Sequence, residues 1–217
     1  MITFKLCETY SEKIKIYQML ENTKLHDKEY TIIDIGGGKE KHVSNKFSFI
    51  DAYADIRKVD TSAKHFSKNL NHPDAWEEMV EYAKTYGKFD YCICSHTLED
   101  LSICMEYVSK KLPEIAKEGL ISVPSKHCEF LKFELDKEYR GYLHHKIIFT
   151  VNNDHVLVFP KASFIDSNLF DNIACTAKDK QELSIHWKQK IPIKIFNNGW
   201  MGPNARQYRD MFLKEIS

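Results

Sequence analysis

The segment that most restricts this chain is residues 32–38, Ile-Ile-Asp-Ile-Gly-Gly-Gly. A short β-branched run that stops in consecutive glycines reads as a buried strand of a parallel sheet followed by a tight turn. Glycines at that point let a ligand approach the backbone at the carboxyl end of the strand, where open α/β sheets bind their ligands. The three glycines are adjacent, so the G-x-G-x-x-G spacing of a dinucleotide pyrophosphate cradle is missing. An acid inside the strand, Asp34, is also awkward for a pyrophosphate and suits a ligand with an ammonium group.

Strand-like and helix-like stretches alternate around this segment. Residues 30–35, 47–56, 89–94 and 119–124 have strand length and apolar content, whereas residues 12–20, 74–84 and 101–117 carry apolar residues at helical spacing. Pro113 is placed to kink or restart the last of these helices. The first helix is expected to cover one edge of the sheet. Alternation of this kind predicts an α/β, Rossmann-like fold: a mostly parallel central sheet with helices on both faces. After Pro124 come strand-like runs at 130–135, 146–151, 155–160 and 183–196, with polar turns such as 152–154, which predict an antiparallel C-terminal extension. No linker or internal repeat divides the chain. Residues 1–217 are therefore read as one domain, with a cofactor-binding half at 1–125 and a substrate-side extension at 126–217.

Acidic and basic residues number 31 each, so the formal net charge is zero. That balance argues against a dedicated nucleic-acid binder and favours a small or neutral acceptor. The first twenty residues mix polar and apolar side chains, and no later stretch is long and apolar enough to cross a bilayer; a cytoplasmic protein without a membrane span is expected. The six cysteines contain no C-x-x-C pair, so free thiols and no zinc site are expected of them, and no metal ligands are assigned. Trp76, Trp187 and Trp200 read as core or edge packing, Lys110 and Lys111 as a solvated helix face, and residues 197–204 as a surface loop. Oligomeric state leaves no signal in the sequence.

Two further elements bear on chemistry. Asp55 stands near the end of the run 52–56, about one crossover after the glycines, where an acid can accept both hydroxyls of a ribose; Asp51, four residues earlier, competes for that role. Residues 89–101, Phe-Asp-Tyr-Cys-Ile-Cys-Ser-His-Thr-Leu-Glu-Asp-Leu, run as a strand straight into polar residues. Taken together, I-I-D-I-G-G-G, A-D-I and F-D-Y-C-I-C-S-H-T-L-E-D resemble the class I S-adenosylmethionine-dependent methyltransferases. The resemblance is to a branch associated with glycan and surface-polysaccharide modification, and it runs from about residue 30 to residue 161.

The resemblance implies S-adenosylmethionine as cofactor, with S-adenosylhomocysteine as product. It places Asp34, Gly36, Gly37 and Gly38 beside the methionine part, Asp55 on the ribose, Asn69 or Leu70 beside the adenine, and Ser95 and His96 at the methyl group. Where that branch commonly has a histidine after L-E, this chain has Asp100, which can orient a hydroxyl or hold a metal; metal dependence stays open. The R-G-Y-L-H-H run at 140–145 is similar to the branch's R-G-x-x-H-H pattern. Adjacent side chains of a strand face opposite ways, so one histidine at most, preferably His144, is expected to point into a site, where neutral imidazole can accept a proton from an acceptor hydroxyl. His96, Asp100, His144 and His145 are the candidate catalytic residues. The implied reaction is O-methylation of a sugar hydroxyl of a glycan or nucleotide-sugar, with another small molecule or a protein as the competing acceptor, and a non-catalytic scaffold as the alternative to an enzyme.

Overall fold

The computed structural model describes residues 3–7, 10–37, 49–57, 62–134, 138–152, 155–173, 176, 181–196 and 209–210. Its centre is a seven-stranded sheet in the order β1-β11-β6-β5-β2-β3-β4. The strands are β1 (Thr3–Cys7), β2 (Ile32–Ile35), β3 (Ala52–Ala54), β4 (Lys64–Phe66), β5 (Phe89–Ser95), β6 (Ala116–Pro124) and β11 (Glu182–Lys188). β4, β3, β2, β5 and β6 are mutually parallel, β11 runs antiparallel to β6, and β1 runs antiparallel to β11. The α/β class, with a mostly parallel sheet and an antiparallel extension, is as the sequence predicts.

The pleat sorts side chains to two faces. On one face Ile33, Ile35, Cys92, Cys94, Ile121 and Val123 meet Trp76, Met79 and Val80 of α2 (Pro73–Tyr86) and Val108 and Leu112 of α3 (Met105–Ile115). On the other, Ile32, Tyr91, Ile93 and Leu120 meet Tyr17 and Leu20 of α1 (Tyr10–His26). The first helix thus covers a face of the sheet spanning several strands, where the sequence suggested an edge. α2 opens on Pro73, whose missing N–H costs nothing in a first turn, and stops at Gly87, whose φ of 95° requires glycine. α3 runs through Pro113 to Ile115, so the proline neither splits nor restarts it. Lys111 is not simply solvated: it reaches Glu77 of α2 at 2.9 Å and ties the two helices together. Trp76 and Trp187 are buried in the core, whereas Trp200 and the loop 197–204 lie outside the described residues.

The remaining strands form two small sheets. β9 (Ile147–Val151) and β10 (Val156–Pro160) make the expected antiparallel pair, and β12 (Ile193–Ile195) joins β10 in parallel. β7 (Lys132–Glu134) and β8 (Tyr139–Arg140) form a ribbon after the short helix α4 (Lys126–Glu129). The apolar run at 183–196 therefore serves two sheets, β11 in the main one and β12 in the small one. Cys92, Cys94, Cys104 and Cys128 are free thiols, and no described helix is long and apolar enough to cross a membrane.

Leu20 is completely buried on the α1 face, next to the exposed Met19. Leu20→Ala is expected to lower stability by about 2–5 kcal/mol, while Met19→Ala stays within about 0.5 kcal/mol, as read from the midpoints of urea unfolding.

Candidate active site

The parallel strands wind outward in two directions. The chain passes from β2 to β3 and β4 on one side and returns to β5 and β6 on the other, so the loops leaving the carboxyl ends of β2 and β5 diverge. Such a switch point leaves a crevice in the sheet's upper edge.

Several residues singled out from the sequence gather there. Gly36 follows β2 with a φ of 85°, its N–H donating to the Ala54 carbonyl at 2.8 Å, and a Cβ at this position would run into the Thr97 side chain. A Cβ on Gly37 would meet the Asp34 carboxylate, so both glycines are required by close approach. Asp34 is itself buried, and its charge, after burial, helps push the Tyr53 hydroxyl up to about 12. Gly38 lies outside the described residues. Asp55 is buried just past the end of β3, its carboxylate accepting from the Arg57 backbone N–H at 2.7 Å and from that guanidinium at 2.9 and 3.0 Å. Asp51 stands at the opposite end of the same strand. It binds Lys24 at 2.8 Å and accepts from the Ile32 N–H at 2.8 Å, so it fastens α1 to β2 away from the crevice.

Asn69 and Leu70 belong to the turn that leads from β4 into α2. The Leu70 carbonyl accepts from the Trp76 indole at 2.8 Å, and the Asn69 side chain caps the Asn71 N–H at 3.0 Å. Asn71 in turn accepts from the Ser102 N–H at 2.6 Å, which draws this turn toward the loop after β5. Ser95 ends β5. His96 follows in a left-handed conformation, φ 50°, which is uncommon outside glycine and turns the chain sharply. Its ring lies between two carboxylates, 3.4 Å from Glu99 and 3.5 Å from Glu182. Glu99 is almost wholly buried, and neither of its carboxylate oxygens has a hydrogen-bond donor among the described residues. Cys94 sits under this group, its thiol pushed well up by burial and then by Cys92, Glu99 and Asp34. The crevice floor is therefore apolar and its rim strongly acidic.

Beside it, a 3-10 turn at Leu98–Asp100 faces the loop that carries the two histidines. The Lys146 N–H donates to the Glu99 carbonyl at 2.7 Å and joins these loops. His144 and His145 lie in a turn before β9 and not on a strand, so the alternation expected of them does not apply. Both rings reach Asp100: His144 Nε2 is 3.8 Å and His145 Nε2 3.7 Å from Asp100 Oδ1. His144 is exposed, whereas His145 is buried against Glu129, with Nδ1 2.5 Å from Glu129 Oε1. Burial and the Glu99 charge push the Asp100 carboxyl up, against the pull of His145, His144 and Lys146.

Glu129, Lys161 and Glu182 drew no attention in the sequence. Lys161 donates to Glu129 Oε2 at 2.9 Å, and Glu182 bonds the Ser122 hydroxyl. The available signal was the R-G that precedes the histidines. Arg140 is buried and donates to the Phe130 carbonyl at 2.7 Å and to the Ser167 carbonyl at 3.2 Å, besides pairing with Asp171. Gly141 has a φ of 60°, and a Cβ there would collide with Glu129 and Lys161. The run thus encodes a scaffold for His145.

No family model matches the chain, and no curated protein matches it. Among solved structures it is similar to the plantazolicin methyltransferase BpumL. The complex with a monoazolic desmethylPZN analog and SAH aligns at 11% identity and TM-score 0.39, over 83% of this chain and 84% of that one. The complex with a triazolic analog and SAH gives 10% identity and TM-score 0.38, over 80% and 84%. With the pentazolic analog complex the alignment has 14% identity and TM-score 0.32, and the chain spans 46% of that protein. These are distant likenesses.

Gly141→Ala is expected to cost about 1–2 kcal/mol for the left-handed backbone alone, and more from the displaced Glu129 carboxylate. A fall of at least this size in the midpoint of urea unfolding checks the assignment.

Proposed function

We propose that this chain is an S-adenosylmethionine-dependent methyltransferase acting on a hydroxyl acceptor. The observation that carries the reading is the set of buried carboxylates, Asp34, Asp55 and Glu99, placed around the switch point of a parallel sheet. Buried acids repel a pyrophosphate and attract a ligand with positive groups, and S-adenosylmethionine carries a sulfonium and an ammonium. Gly36 and Gly37 leave the backbone bare where the methionine portion would pass. Asp55 would accept the two ribose hydroxyls once Arg57, half exposed, releases it. Asn69 or Leu70 would flank the adenine, and Ser95 and His96 would border the methyl group. The sequence resemblance to class I methyltransferases supports the same assignment.

On the acceptor side, the lone pairs of Asp100, His144 and His145 converge beside the crevice. Methyl transfer is an in-line displacement at an activated sulfonium: the acceptor oxygen forms a bond to the methyl carbon, the carbon–sulfur bond breaks, and the hydroxyl proton leaves. Alignment of oxygen, methyl and sulfur contributes on the order of 7–11 kcal/mol, whereas help in removing the proton contributes about 10²–10⁴-fold. Positioning therefore dominates, and the polar cluster serves the smaller term. A sugar hydroxyl is the acceptor favoured by the resemblance and by the polar lining.

Calorimetric titration with S-adenosylmethionine and S-adenosylhomocysteine tests the reading. Micromolar binding is expected, weakened about 10–100-fold in Asp55→Ala, since a hydrogen bond to a charged group is worth roughly 1.5–3 kcal/mol. Absence of binding to the unmodified protein would overturn the enzyme reading in favour of a scaffold.

A further inference from the structure

We propose that Asp100, His144 and His145 form a binding site for one divalent transition-metal ion. The three ligand atoms, a carboxylate oxygen and two imidazole nitrogens, all lie within 4.8 Å of one another. Ligands held at about 2.1 Å from a tetrahedral ion stand about 3.4 Å apart. The separations of 3.7 and 3.8 Å from Asp100 Oδ1 to the two Nε2 atoms come within a few tenths of an ångström of that edge. They are too long for direct hydrogen bonds.

The polarity of the groups points the same way. Glu129 is a buried carboxylate, and its 2.5 Å contact with His145 Nδ1 makes that nitrogen the donor. His145 Nε2 then presents a lone pair toward Asp100 Oδ1, an oxygen shielded from solvent that has no hydrogen-bond partner among the described residues. In the neutral imidazole acceptor faces acceptor, and a metal ion bound by both atoms takes up the two lone pairs. Glu99, buried and without a hydrogen-bond donor on its carboxylate among the described residues, adds negative charge next to Asp100. The carboxylate–histidine pair of Glu129 and His145 is the arrangement that orients a metal-bound imidazole and raises its basicity.

The site is built in advance. Lys161 holds Glu129 at 2.9 Å, and Tyr142 packs its ring 4.8 Å from that of His145. The bond from the Lys146 N–H to the Glu99 carbonyl fixes one loop against the other. His144 is exposed and Asp100 half-exposed, so coordination positions remain for an incoming ligand on their side. Two nitrogens and one carboxylate suit zinc, manganese, cobalt or iron over calcium or magnesium. From the sequence no metal ligands are assigned, although Asp100 can hold a metal and metal dependence stays open; the proposed ligands are these three residues. What the ion does rests on the proposed methyl transfer: an acceptor hydroxyl entering the open positions would be acidified there and shed its proton to water. Binding of the ion does not depend on that reading.

The test uses the full chain without a polyhistidine tag, stripped with chelator and dialysed. Titration with Co²⁺ followed by visible absorption, and with Zn²⁺ and Mn²⁺ by calorimetry, is expected to show one bound equivalent. His144→Ala, at an exposed position, and Asp100→Asn, at a half-buried one, should weaken it at least 10-fold, and Glu129→Gln should weaken it about 10–100-fold. His96→Ala should leave it unchanged. Circular dichroism and urea unfolding establish that each variant is folded. No uptake by the unmodified protein, or uptake indifferent to His144→Ala and Asp100→Asn, overturns the site. Titration of the same preparations with S-adenosylhomocysteine separates the two proposals: metal uptake without nucleoside binding overturns methyl transfer alone, and the reverse overturns the metal site alone.

Discussion

Two strands that are neighbours in the sheet, β2 and β5, send the chain in opposite directions, and the chemistry of this molecule depends on that divergence. Their pairing, from Ile32 opposite Tyr91 to Ile35 opposite Cys94, brings Gly36 against Thr97 at the upper edge. Side-chain hydrogen bonds reinforce the contact, since Thr97 Oγ1 donates toward the Ser95 and Ile35 carbonyls. Gly36, Ser95 and His96 end one of these strands or follow it directly, while Asp55 follows β3 and Asn69 and Leu70 follow β4. The amino ends are closed by a different set, in which Asp51 and Lys24 fasten α1, and Asp90 binds Thr31 and Lys117. One edge of the sheet is thus fastened by ion pairs, while the other gathers the buried carboxylates of Asp34, Asp55 and Glu99.

The buried charges divide in the same way. Arg140 is surrounded by carbonyls and a carboxylate, and it holds the ribbon of β7 and β8 to the segment at 166–171. Such a group is costly to strip of its partners, so it fixes geometry. Glu129 shares this character, with Lys161 and His145 on its two oxygens. Glu99 does not. Its carboxylate is nearly without solvent exposure and has no hydrogen-bond donor among the described residues, with only the His96 ring 3.4 Å away, so it contributes little to stability.

The parallel half was legible because its signals are local. The run at 32–38 contains both the strand and the turn that ends it, and residues 73–87 carry the proline, the apolar stripe and the glycine that delimit a helix. β1 and β4 were not read, being short strands with charged or polar residues whose place is set by pairing with β11 and β3. The arrangement of His144 and His145 was misjudged for a related reason. A strand pattern continues into them from β9, but Gly141 and the bond between Lys146 and Glu99 bend the segment into a turn, and that bond joins residues far apart in sequence. The partnership of Glu129 with His145 left no spacing rule to find. Asp55 and Asp51 could not be separated by composition; which end of β3 each occupies depends on the register with β2, Ile33 opposite Ala52.

The outer side of the sheet has a consequence for how the molecule is assembled. β1 lies beyond β11, with Thr3 opposite His186 and Cys7 opposite Glu182. A nascent chain emerging from the ribosome therefore presents this strand long before its partner has been synthesised. The parallel core from β2 to β6 can condense first, because its contacts lie within the first 124 residues. The margin formed by β6, β11 and β1 can close only after β11 is made, and until then β6 has an unpaired edge open to other strands. The carboxyl ends of β2 and β5 can thus meet before the sheet is complete, whereas Glu182, which flanks His96, arrives with β11.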